Sequence, residues 1–136
     1  MNKIILILGD LLAIAIVTFI GFASHGEVGA GLPSPSILPR MAAIYFPLSV
    51  AWFVLAPFMG LFQQKTITNP KQLWRPALTA LFAAPVAAVL RGFLLNAPVI
   101  PIFAVVLGVT TAVGVVLWRS VYFLVGRNIF RAKSVK

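Results

Sequence analysis

The 136-residue sequence has no cysteine, one histidine and two acidic residues. Without cysteine there are no disulfides, no thiolate metal sites and no cysteine nucleophile. One histidine, His25, cannot build a multi-histidine metal centre. The acids, Asp10 and Glu27, stand on opposite sides of a long apolar run, which leaves paired-carboxylate catalysis little to work with. Charge of any kind is scarce: Asp, Glu, Lys and Arg make up 10% of residues, where a soluble domain has about a quarter. Too few polar groups remain to coat a soluble particle of this length.

What the chain has in place of charge is apolar length. Hydrophobic residues make up 61% of it and the mean hydropathy is +1.05. A bilayer accepts such a surface, because lipid-facing positions should be apolar. Runs of about twenty apolar residues form helices that cross the hydrocarbon core. Four such spans are expected, at about 4–23, 41–62, 74–95 and 101–125, followed by a basic tail over 126–136. Together they read as one all-α domain over 1–136, an integral membrane bundle of four transmembrane helices. Between the first two spans, residues 24–39 are rich in Gly, Pro and Ser and cannot continue a helix. Pro47 and Pro57 in the second span and Pro85 in the third are expected to kink their helices, which neighbouring helices tolerate in a membrane. Lys3, the run Leu11 to Ile20 and Gly21-Phe22-Ala23 also have the order of a cleavable signal peptide. Asp10 interrupts that order, so the segment is expected to remain as the first span.

The net charge of +9 sits in loops and the tail instead of on a continuous face. This is the pattern of membrane topology, not of nucleic-acid binding, and no nucleic-acid partner is expected. If the N-terminus is cytoplasmic, that side carries Lys3, Lys65, Lys71, Arg75, Arg127, Arg131, Lys133 and Lys136. The other side carries Arg40 and Arg91. The positive-inside rule therefore places both termini in the cytoplasm and brings Trp74 and Trp118 to the inner interface, where indoles anchor. The cationic tail would be drawn to anionic inner-leaflet lipids at about 1 kcal/mol per residue.

Lipid tails are as apolar as leucine, so membrane helices associate through close packing and polar contacts. Ala80, Ala84 and Ala88, with Ala83 and Ala87, give the third span small faces. In the fourth, Gly108 with Ala112 and Thr110 with Gly114 offer the same. Against this background two charges stand out. Asp10 lies about 10 Å up the first helix, where an ionised carboxylate costs on the order of 2.5–3.5 kcal/mol on insertion scales. Arg119 comes to a similar depth near the inner end of the fourth span, and Arg91 lies much nearer the outer face. Asp10 is therefore expected to face Arg119, or waters beside it. Arg91 either snorkels to the outer interface or joins Ser24, His25 and Glu27 in an outer polar cluster.

Other chemistry finds little support. His25 borders a loop and reads as a hydrogen-bonded polar residue, so no haem or other cofactor is expected. Ser24, His25 and Glu27 are sequence neighbours, a poor arrangement for nucleophile, base and orienter. Gly29 to Gly31 are followed by prolines instead of a Lys-Ser/Thr helix start, so no phosphate loop is present.

The polar positions fall in a recognisable order. Gly9-Asp10 opens the first helix, and Gly21 with Ser24 to Glu27 closes it. Phe46-Pro47 and Trp52 follow in the second span, Leu90-Arg91 in the third and Trp118-Arg119 in the fourth. Over about residues 9 to 119 this resembles the domain of unknown function 3054 family of small prokaryotic multi-pass membrane proteins. The resemblance implies a single multi-pass domain and carries no activity, substrate or catalytic residue. Asp10, Ser24, His25, Arg91 and Arg119 coincide with the positions that the family pattern features.

The expectation is a non-enzymatic protein of the cytoplasmic membrane. It would act by helix association, as a homo-oligomer or as an accessory subunit of a membrane complex. The alternative is a small oligomeric transporter or channel with a polar path through Asp10, Arg119 and the Ser24, His25, Glu27 and Arg91 cluster.

Overall fold

A computed structural model describes residues 2–24 and 34–135. Its elements are all helical: α1 (Lys3–Ser24), α2 (Leu38–Phe58), the single turn α3 (Gln64–Ile67), a 3₁₀ turn (Pro70–Gln72), α4 (Trp74–Leu95) and α5 (Pro101–Ser134). Among the described residues four helices are long and apolar enough to cross a membrane: α1, α2, α5 and the stretch Pro70–Leu95 that contains α4. The all-α membrane bundle expected from composition is the fold found.

Local chemistry sets where the helices start and stop. Asn2 caps α1, its side-chain oxygen accepting from the Ile4 N–H at 2.9 Å. Pro101 starts α5, at a position where its missing N–H costs nothing. α2 ends at Phe58, four residues before the boundary expected from hydropathy. There Gly60 takes the left-handed conformation (φ +66°) and its N–H donates to the Pro57 carbonyl, while the Leu61 N–H reaches back to Ala56. This Schellman turn stops the helix although the following residues, Leu61 and Phe62, are still apolar. Asn96 plays the glycine's part at the end of α4 (φ 48°), with the Ala97 N–H on the Gly92 carbonyl. α2 also begins at Leu38, so Arg40 lies in its first turn. α5 continues helical to Ser134, through most of the segment read from sequence as a tail.

The long helices pack in a ring, with principal contacts between α1 and α2, α2 and α4, α4 and α5, and α5 and α1. α1 and α4 are thus diagonally opposed. The alanine faces of α4 are spent inside this ring: Ala80, Ala83, Ala84, Ala87 and Ala88 are all buried. Gly108 brings α5 so close that a Cβ on it would stand 3.3 Å from that of Ala84. Gly114 faces α1 instead, where an added Cβ would meet Val17 at 2.6 Å. Thr110 points outward, its hydroxyl donating to the Val106 carbonyl of its own helix, and its neighbour Thr111 is the buried one. The expected Thr110–Gly114 face is therefore split, because a four-residue spacing alone does not say which neighbour a small residue meets. Trp52 and Leu48 fill the middle of the ring. The outside carries rows such as Leu8, Leu12, Ile16 and Ile20. In lipid these rows contribute no hydrophobic driving force, so the interior contacts must hold the bundle.

Gly9 shows how tight those contacts are, since a Cβ there would fall within the Trp118 indole. At Gly21 nothing lies within 4 Å. Gly9→Ala should lower stability by about 1–3 kcal/mol through overpacking. Gly21→Ala should stay within about 0.5 kcal/mol of the parent. Unfolding of both variants in detergent would check the contrast.

Candidate functional site

Asp10 and Arg119 meet within the bundle, both essentially buried (0% and 5% exposed). The guanidinium grips the carboxylate with two prongs: Nη2 donates to Oδ2 at 2.6 Å and Nε to Oδ1 at 3.2 Å. Trp52 adds its indole N–H to Oδ2 at 3.4 Å from α2. The third prong of Arg119, Nη1, donates to the Leu61 carbonyl at 3.0 Å, on the Schellman turn that ends α2. The rings of Trp52 and Phe62 lie 6.0 and 5.9 Å from the Arg119 Cζ, close enough for cation–π attraction. One ion pair thus joins α1, α2, the turn after α2, and α5.

Further polar contacts fasten the same end of α1. The Trp118 indole N–H reaches the Leu6 carbonyl at 3.4 Å, and the Tyr122 hydroxyl donates to the Asn2 carbonyl at 2.8 Å. Arg75 of α4 donates to the Met59 carbonyl at 2.9 Å, so the turn after α2 is held by a second guanidinium. The two tryptophans expected together at one interface differ in setting. Trp118 is part of the α1–α5 contact, while Trp74 is half-exposed with the Arg75 guanidinium 5.4 Å from its ring. A cavity of about 10 Å³ opens beside Arg119, lined in part by Leu6, Thr66, Gln72 and Tyr122. Thr66 Oγ1 and Gln72 Oε1 are buried there without a hydrogen-bond partner. This is about the space one water needs.

Of the outer cluster expected from sequence, Ser24 and Arg91 lie among the described residues. The Arg91 guanidinium stands over the Phe103 ring of α5 at 5.3 Å, and the Ser24 hydroxyl donates to the Gly21 carbonyl of its own helix. Among the described residues no hydrogen bond joins Ser24 to Arg91, which lie on diagonally opposed helices. His25 and Glu27 fall outside the described residues. Depth counting singled out the partner of Asp10 because rise per residue is fixed. It could not find the Leu61 carbonyl or Arg75, since both depend on the turn at Gly60. That glycine, a stop signal inside an apolar run, was the available clue.

A family model described as "Protein of unknown function (DUF3054)" matches residues 7–122, which take in Asp10, Trp52, Leu61 and Arg119. No curated protein and no solved structure matches the chain.

Replacing one member of the pair leaves the other charge buried alone. Asp10→Leu should destabilise the protein by about 3–5 kcal/mol, and the double variant Asp10→Leu/Arg119→Met should recover much of that loss. Denaturation in detergent of the two variants beside the parent decides the point. An Asp10→Leu protein as stable as the parent would count against the pair as a structural clamp.

Proposed function

The chain belongs to the DUF3054 family of proteins of unknown function, and on that premise we propose that it is a non-enzymatic membrane protein acting by association. It works as a rigid four-helix body in the cytoplasmic membrane, in a homo-oligomer or as an accessory subunit of a larger membrane complex. The observation that carries this reading is the closed state of the Asp10–Arg119 pair. Both carboxylate oxygens are engaged, and the three guanidinium nitrogens all donate within the protein. Groups so occupied hold helices together. The buried alanines of α4 and Gly108, Ala112 and Gly114 of α5 are likewise consumed within the ring, so the surfaces left for a partner are the outward helix faces. Both termini lie on the cytoplasmic side, by the excess of lysine and arginine there. Anionic lipids of the inner leaflet surround the basic segments.

A second reading, a small transporter or channel, rests on the cavity beside Arg119 and its two unpartnered polar atoms, Thr66 Oγ1 and Gln72 Oε1. A water there would touch the ion pair from one side. Transport needs that wet space to continue past mid-membrane, where Ser49 of α2 and Thr111 of α5 also keep buried hydroxyls without partners.

The absence of native cysteine makes single-cysteine variants uniquely reactive. In membrane vesicles, Ser49→Cys and Thr111→Cys should stay unmodified by a water-soluble thiol reagent applied from either side. Modification of both would favour the transport reading. The mass of the particle purified in mild detergent should exceed that of one chain, through further copies or a stoichiometric partner. A lone monomer would contradict the association reading.

A further inference from the structure

At 34 residues α5 is about 51 Å long, well beyond the roughly 30 Å of the hydrocarbon core. The face that packs the bundle through Gly108, Ala112, Val115 and Arg119 runs on past the ends of its neighbours. There Phe123, Arg127 and Phe130, spaced i, i+4 and i+7 on one side of the helix, look onto Thr68 across an open groove of about 270 Å³. The walls are mostly aromatic, and the one charge lining the groove is a guanidinium. The one acid among the described residues, Asp10, is buried against Arg119 and Trp52 and does not line the groove. Lys65 and Lys71, both exposed, add further positive charge on the connection that carries Thr68.

Depth identifies what would meet this groove. Counting about 20 residues from Pro101 to cross the core puts Phe123 a few ångströms beyond the hydrocarbon and Arg127 about 10 Å beyond it. Helical side chains lean toward the helix N-terminus, here back toward the bilayer, so the Arg127 guanidinium returns to the level of lipid phosphates. Planar guanidinium groups bind phosphate oxygens in pairs, and a phenyl ring at the edge of the hydrocarbon packs against apolar lipid carbon. We propose that the groove of Phe123, Arg127, Phe130 and Thr68 seats the headgroup of one anionic phospholipid, with Arg127 on its phosphate, the Phe123 ring against its glycerol and upper acyl chain, and Phe130 walling the headgroup on its aqueous side. The assignment rests on the membrane placement of α5 and not on the association role.

Native mass spectrometry of the full chain in mild detergent tests it, with phosphatidylglycerol and phosphatidylcholine of the same acyl chains offered in equal amounts. One phosphatidylglycerol should be retained in preference. Arg127→Gln should weaken its retention by about fivefold, and Lys133→Gln, which removes the same charge outside the groove, should leave it within about twofold. Phe130→Ala should also weaken retention, because it removes a wall without touching charge. Equal losses in the two charge variants would overturn the proposal in favour of diffuse surface attraction. Displacement of the lipid by inorganic phosphate would assign the site to free phosphate. A dimer lost in Phe130→Ala, with no lipid bound, would assign the groove to a second copy. The lipid is read on whatever particle is present: a monomer carrying it contradicts only the association role, and an oligomer without it contradicts only the groove.

Discussion

A carboxylate placed in an apolar helix must find a partner before that helix can rest in a bilayer. In water Asp10 would be unremarkable. At its depth in α1 it demands a cation and hydrogen-bond donors, because hydrocarbon offers neither. Arg119 meets that demand and carries one of its own, since a buried guanidinium has more donors than one carboxylate can accept. The Leu61 carbonyl takes one of the remaining donors, and this ties the turn that ends α2 to the pair. The Schellman turn at Gly60 is thereby tied to the chemistry of a residue fifty positions earlier in the chain.

The rest of the bundle can be understood from this node outward. Pairing α1 with α5 at one end requires close backbones, and Gly9 under Trp118 with Gly114 under Val17 supply the space. The turn after α2 is shared between Arg119 and Arg75, which draws α4 to the same end. From there the alanine faces of α4 close against α2 and α5 along the remaining length. Without a hydrophobic drive between helices, this combination of one polar knot and extended close packing is what selects a single arrangement. Replacing a buried ion pair by matched apolar groups is often tolerated, so the value of the pair lies in fixing register as much as in stability.

Much of this was legible in the sequence because the signals were one-dimensional. Apolar length gives the spans, and fixed rise per residue sets Asp10 level with Arg119 and away from Arg91. What composition and depth could not reveal was lateral arrangement. Nothing in a depth count says that α1 and α4 are diagonal, so it cannot show that Ser24 and Arg91 stand on opposed helices. The same blindness assigned Thr110 and Gly114 to one face. The end of α2 was misplaced because hydropathy averages over Leu61 and Phe62, while a single glycine with positive φ decides the backbone there. The overhang of α5 reads as a tail because the apolar run ends near Val125, although the helix continues to Ser134.

The central claim is that Asp10 and Arg119 form a two-pronged ion pair inside the membrane. Solid-state NMR in lipid bilayers can read it directly, by dipolar recoupling between the Asp10 carboxyl carbon and the Arg119 guanidinium nitrogens. Strong dephasing from Nε and Nη2 together, as N···O distances of 3.2 and 2.6 Å require, is the result this account predicts. Absence of dephasing from either nitrogen in a folded sample would contradict it, and the knot that orders the bundle would have to be sought elsewhere.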